Sequence, residues 1–172
     1  VRRVALYSYF FAIKYGLNTQ EAELIKLASP PHDVGKITIP DSILKKPGKL
    51  DAEEWAIMQS HAQLGADLLK SSDNEVIKMG SIIAGQHHER WDGTGYPNKL
   101  KGEDIHISGR ITALADVFDA LGSIRYYKDA WPLEKILEEI NAQKGKQFDP
   151  KLVDILNDNI NDILKIRDQY PD

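Results

Sequence analysis

The sequence predicts an all-α protein, on three observations. Apolar residues recur at helical spacing along most of the chain, cap-forming polar residues stand ahead of those stripes, and no run alternates as a half-buried strand would. Arg2 to Tyr15 reads as one helix ended by Gly16, and Asn18 with Glu21 offers a capping pair for a second helix running to about Ala28. Pro30 and Pro31 then stop or sharply turn the chain. The segment "DAEEWAIMQSHAQLGADLLK" opens on Asp51 and Glu54 and carries Trp55, Met58, Ala62, Gly65 and Leu69 as an apolar stripe, with His61 beside it. Ser72 and Glu75 read as the cap of the next helix, which carries Ile77, Ala84 and His88 along one side and Val76, Gly80, Ile83 and His87 along its neighbour. A loop from about Arg90 to His106 precedes "ISGRITALADVFDALGS", whose Ile107, Ile111, Leu114, Phe118 and Leu121 form a core face. Asp116 and Asp119 share a side of that helix. Two further helices follow, the last with Asp149 as cap and Pro150 as its first residue.

A length of 172 residues suits one domain, and 42% hydrophobic with 28% charged residues is the composition of a folded chain. The net charge of -4 argues against a nucleic-acid coat, because phosphate binding depends on accumulated Lys and Arg; no DNA partner is expected. With no cysteine there is neither a disulfide framework nor a thiolate zinc site, and a cytoplasmic location is expected. No apolar run reaches the roughly 20 residues that span a bilayer. The chain starts on Val1, so the expectation is a single domain over residues 1–172, cut from a longer protein.

Four of the five histidines lie in or next to helices with apolar faces, and their neighbours are informative. His32 is followed by Asp33 and His87 by His88, while Asp116 sits on a mostly apolar helix where a carboxylate is costly to bury without a partner or a cation. Mixed imidazole and carboxylate ligands suit Fe or Mn, with Zn as an alternative, and one carboxylate can bridge two ions. On spacing alone, a set of unrelated hydrogen-bonded polar residues remains the competing reading.

Taken together, "HDVGK" at His32 to Lys36, "IPDSILKKPGKL" from Ile39, His61, "HHERWDGTGYP" at His87 to Pro97, "ADVFDAL" at Ala115 to Leu121, Arg125 with Lys128 and the late "FDP" at Phe148 resemble the HD-GYP family of metal-dependent phosphohydrolases. The resemblance covers nearly the whole chain. It implies an HD-type helical bundle with a GYP loop, and His32, Asp33, His61, His87, His88 and Asp116 as ligands of two or three divalent ions, with Asp33 bridging. Those ions are expected to be Fe or Mn, with Zn, Ni or Mg as alternatives. Asp33 and Lys36 are the catalytic candidates, Lys36 as the neutraliser of phosphate charge.

Lys36, Gly95, Tyr96, Pro97, Arg125 and Lys128 are the substrate-binding candidates. Apart from the resemblance, Arg125 and Lys128 read as basic residues favourable near a helix C-terminus. Glu89 and Asp119 are expected either to bond to ligand histidines or to be ordinary polar residues. The activity implied is hydrolysis of cyclic di-GMP to pGpG or GMP. The alternatives are another cyclic dinucleotide, 3′,3′-cyclic GMP-AMP, or a weakly catalytic nucleotide-sensing module. Implied partners are an upstream sensor or receiver domain and diguanylate cyclase domains. The family pattern has one more histidine on the first helix, and its position would fall just before Val1.

Overall fold

The computed structural model describes residues 1–125 and 128–172. Among them there is no strand, only two isolated bridges, Arg125 with Lys128 and Lys144 with Phe148. Helix α1, Arg2–Tyr15, ends where Gly16 takes a φ of 113° and its N–H reaches the carbonyls of Ala12 and Ile13. Helix α2, Thr19–Ala28, is capped by the Asn18 side chain on the Glu21 N–H. The two prolines turn the chain as expected, but it then continues as a tight 3-10 stretch, Pro30–Thr38, that the sequence did not suggest. Short α3, Asp41–Leu44, leads to α4, Ala52–Leu69, which opens on a reciprocal Asp51–Glu54 capping box.

Helix α5, Glu75–Gln86, is capped by Asn74 rather than Ser72. Asn74 accepts from Val76 and Ile77, while the Ser72 hydroxyl accepts from the Asn74 N–H one step earlier. Helix α6 runs Ile107–Gly122 and α7 Leu133–Ala142. The last expected helix is two, α8 Pro150–Asp158 and α9 Ile160–Gln169, because Asn159 leaves helical geometry at φ -124° and ψ 25°.

Helices α1, α2, α6, α7, α8 and α9 share one core, in which Tyr7, Phe11, Ile25, Leu114, Ile136 and Leu152 are essentially inaccessible. Of the expected α6 face, Ile111, Leu114 and Phe118 are buried and Ile107 and Leu121 partly so. A buried ion pair locks three elements together. Arg110 Nη1 donates to Asp149 Oδ2 at 2.6 Å and to the Tyr15 hydroxyl at 3.0 Å, and that hydroxyl donates to the same carboxylate. Asp149 also caps α8 through the Lys151 N–H. Among the described residues, no helix is long and apolar enough to cross a membrane.

Helix α4 and the 3-10 stretch approach each other closely. A Cβ on Gly35 would collide with the backbone of His61 and Gly65, so a glycine is required there. This contact brings Asp33 against His61.

Candidate metal centre

Four separate elements deliver the six expected ligands to one place. His32 and Asp33 come from the 3-10 stretch, His61 from α4, His87 and His88 from the end of α5, and Asp116 from α6. Asp33 is the centre. Its Oδ1 lies 3.4 Å from His61 Nε2 and 3.3 Å from His87 Nε2, and its Oδ2 lies 3.4 Å from His32 Nε2. His32 Nε2 is also 3.4 Å from Asp116 Oδ1, and His88 Nε2 is 3.1 Å from His61 Nε2. Asp33, His61, His87 and His88 each offer an atom within 4.8 Å of all the others.

The second nitrogen of each ring decides what these atoms can do. Nδ1 of His32 donates to the Ser29 carbonyl, Nδ1 of His61 to Met58, and Nδ1 of His87 to Ile83 and Ala84. At the end of α5 this bond also satisfies carbonyls that the helix leaves unpaired. With Nδ1 committed as donor, a neutral ring turns a bare Nε2 lone pair towards Asp33. His32 Nε2, His87 Nε2 and Asp33 Oδ1 are buried with no hydrogen-bond partner, which in a protein interior demands an explanation. Two atoms each about 2.1 Å from one cation stand about 3.0–3.4 Å apart at octahedral to tetrahedral angles. The observed spacings match that, so the donor set fits divalent metal.

The electrostatics favour positive charge at the same place. Burial pulls the His32 imidazole down, but Asp116 and Asp33 outweigh it and raise it to about 10. Burial pushes the Asp33 carboxyl up, yet His32, His61 and His87 hold it far below the usual carboxylate range, and His32 does the same to a lesser degree for Asp116. His88 moves the other way: burial, then the neighbouring His87 and His61, lower it to about 2. His88 is therefore a neutral imidazole, and the charge that the two carboxylates attract is supplied either by a proton on His32 or by a cation.

Beside the cluster lies a cleft of about 420 Å³, lined by His87, His88, Asp116, Gly95, Tyr96 and Trp55 among others. Tyr96 stacks on His88 with centroids 4.9 Å apart and planes 18° apart; burial and the Asp33 charge raise its hydroxyl to about 12. Gly95 lets the loop come this close, since a Cβ there would strike the backbone of His88, Glu89 and Arg90. Gly93 takes a φ of 82°. Pro97 follows a cis bond and the cleft leaves it outside. Lys36 Nζ lies 3.1 Å from Asp33 Oδ2 and is partly exposed.

Three expectations meet a different arrangement. Glu89 does not bond to a histidine: its two oxygens accept the N–H groups of Asn98 at 2.7 Å and Leu100 at 3.0 Å, so it anchors the GYP loop from beneath. Asp119 accepts from Arg3 Nε at 2.6 Å, and the same guanidinium reaches Ser123, Asp172 and the Tyr170 carbonyl. The α6 register points Asp119 at α1, one turn beyond Asp116. Arg125 and Lys128, both exposed, pair with each other through their backbones after α6, and neither is among the described residues lining the cleft. The carbonyls of Ser29, Met58, Ile83 and Ala84 went unforeseen because a backbone acceptor has no sequence signature.

The chain belongs to the HD domain family, whose model matches residues 1–152. It is 58% identical over all 172 residues to a 3′3′-cGAMP-specific phosphodiesterase 2 of Vibrio cholerae, covering 33% of that protein. It is 50% identical over 145 residues, 84% of this chain, to the cyclic di-GMP phosphodiesterase response regulator RpfG of Xanthomonas campestris, covering 38% of it. The fold matches a crystal structure of a cyclic GMP-AMP specific phosphodiesterase of Vibrio cholerae with a TM-score of 0.71 at 21% identity, over 95% of this chain and 44% of that one. The chain thus spans between a third and two fifths of the length of the two sequence relatives.

Proposed function

We propose that this is the hydrolytic domain of a longer bacterial signalling protein, a metal-dependent phosphodiesterase for a cyclic dinucleotide. The observation that carries the reading is Asp33, whose two oxygens face separate sets of histidine lone pairs in a buried cluster. His32, Asp33, His61, His87, His88 and Asp116 are the residues that would hold the ions, Asp33 through both of its oxygens. Fe or Mn suits the mixed imidazole and carboxylate donors, with Zn, Ni or Mg as alternatives. Such ions supply Lewis acidity at a phosphate oxygen and acidify water.

The chain's own groups do the rest. Lys36, beside Asp33, adds a cationic donor for a phosphate oxygen. Gly95 and Tyr96 form the cleft wall. Arg125 and Lys128 stand outside that wall, and their proposed role, carried by the family resemblance, is to meet the second phosphate or a guanine edge where the substrate extends beyond the cleft. Cyclic di-GMP is the substrate of the first reading, with pGpG or GMP as product. The 58% identity to an enzyme named for 3′,3′-cyclic GMP-AMP favours that nucleotide as the second. The extra length of the relatives supports an upstream sensor or receiver domain, and diguanylate cyclase domains are the proposed protein partner.

Metal content and turnover of both dinucleotides, measured in competition on protein purified without oxygen or chelators, test this. Two or more ions per chain with linear product support it. Metal-free protein that binds nucleotide without cleaving it refutes it in favour of a sensing module.

A further inference from the structure

Trp55 was expected in the buried stripe of α4, and there the structure disagrees. Ala62 and Gly65 of that stripe are buried, but Trp55 is 47% exposed. It lies one residue beyond the capping box, where the helix backbone is well held. It lines the cleft together with His87, His88, Tyr96 and Asp116. Its ring stands edge-on to Tyr96, with centroids 6.1 Å apart and planes 81° apart.

An indole so placed leaves much apolar surface in water beside a reactive cluster. Covering it with a flat aromatic group recovers that surface. The remaining walls include Gln59, Arg90, Thr94 and Gln147, polar groups suited to the edges of a heterocycle rather than to an apolar peptide. The cleft volume of about 420 Å³ falls in the range of small-ligand sites, about 300–1,000 Å³.

We propose that Trp55 is the stacking platform for one purine base of the substrate, holding the dinucleotide so that its phosphodiester faces the histidine cluster. The assignment rests on the phosphodiesterase reading and adds to it the group that captures a base. Stacking tolerates any purine, so Trp55 serves cyclic di-GMP and 3′,3′-cyclic GMP-AMP alike.

Steady-state kinetics of the metal-loaded protein test it. Trp55→Ala should raise KM for both dinucleotides about 5- to 150-fold with kcat within about twofold, and Trp55→Phe should regain most of the loss. An unchanged KM in Trp55→Ala overturns the proposal, as does an equal loss of kcat in both variants, which would mark a structural role. Should Trp55→Ala fail to fold, quenching of indole emission by cyclic di-GMP decides: loss of the quench in Trp55→Phe supports the platform and its retention overturns it. Wild-type protein that cleaves methyl 4-nitrophenyl phosphate but neither dinucleotide would instead sink the functional reading, and the platform with it.

Discussion

Replacing Glu89 by Ala should loosen the GYP loop without touching the histidine cluster directly. Glu89 is 3% exposed, and its carboxylate accepts the Asn98 and Leu100 amides at 2.7 and 3.0 Å. A hydrogen bond to a charged group contributes about 1.5–3 kcal/mol, and these two bonds are partly buried. Each amide should therefore exchange with solvent about 10- to 150-fold faster in Glu89→Ala, since 1.4 kcal/mol is a factor of ten. The two bonds sum to about 3–6 kcal/mol of loop anchoring, not all of which reaches global stability because the loop can open locally. Hydrogen exchange resolved at single amides is the assay, with the α6 amides as internal control. Tyr96 lies between Glu89 and the anchored residues, so its stack on His88 should loosen too and KM should rise. Glu89→Gln should recover only part of the protection, because its NH₂ group confronts one of the two amides donor to donor. Unchanged exchange at Asn98 and Leu100 would refute the anchoring role.

Asp33→Ala should abolish metal retention and hydrolysis together. The wild-type protein, stripped of metal, should gain about 2.7 kcal/mol at Mn²⁺ a hundredfold above its Kd, while the variant gains almost nothing; melting curves with and without Mn²⁺ check this. Arg110→Ala strips the buried Asp149 carboxylate of its cation and should cost about 3–5 kcal/mol, a fall in Tm of about 6–20 °C by calorimetry. Arg125→Ala should weaken nucleotide binding, measured by calorimetric titration, and leave metal content unchanged. Loss of metal would mean that Arg125 supports the cluster instead.

Local rules made much of this protein readable from its residues. Caps act within about four residues, and apolar stripes repeat every turn, so Asn18, Asp51, Gly16 and the α6 face could be placed without tertiary information. Where those rules missed, a neighbour was competing. Asn74 outbid Ser72 because it reaches two N–H groups of the first turn, and Asn159 breaks a run whose apolar period continues through it.

Sequence alone determined the all-α architecture and the identity of the polar residues that converge, since their order along the chain is the family's pattern. Tertiary structure decided what those residues do. Glu89 faces the loop amides nine and eleven residues on, Asp119 meets Arg3 across 116 residues, and Trp55 leaves the core for the cleft. The bare Nε2 lone pairs exist because four backbone carbonyls accept from the Nδ1 atoms of three histidines. A helical period states which face a side chain occupies; what stands opposite that face is set by packing between elements far apart in the chain.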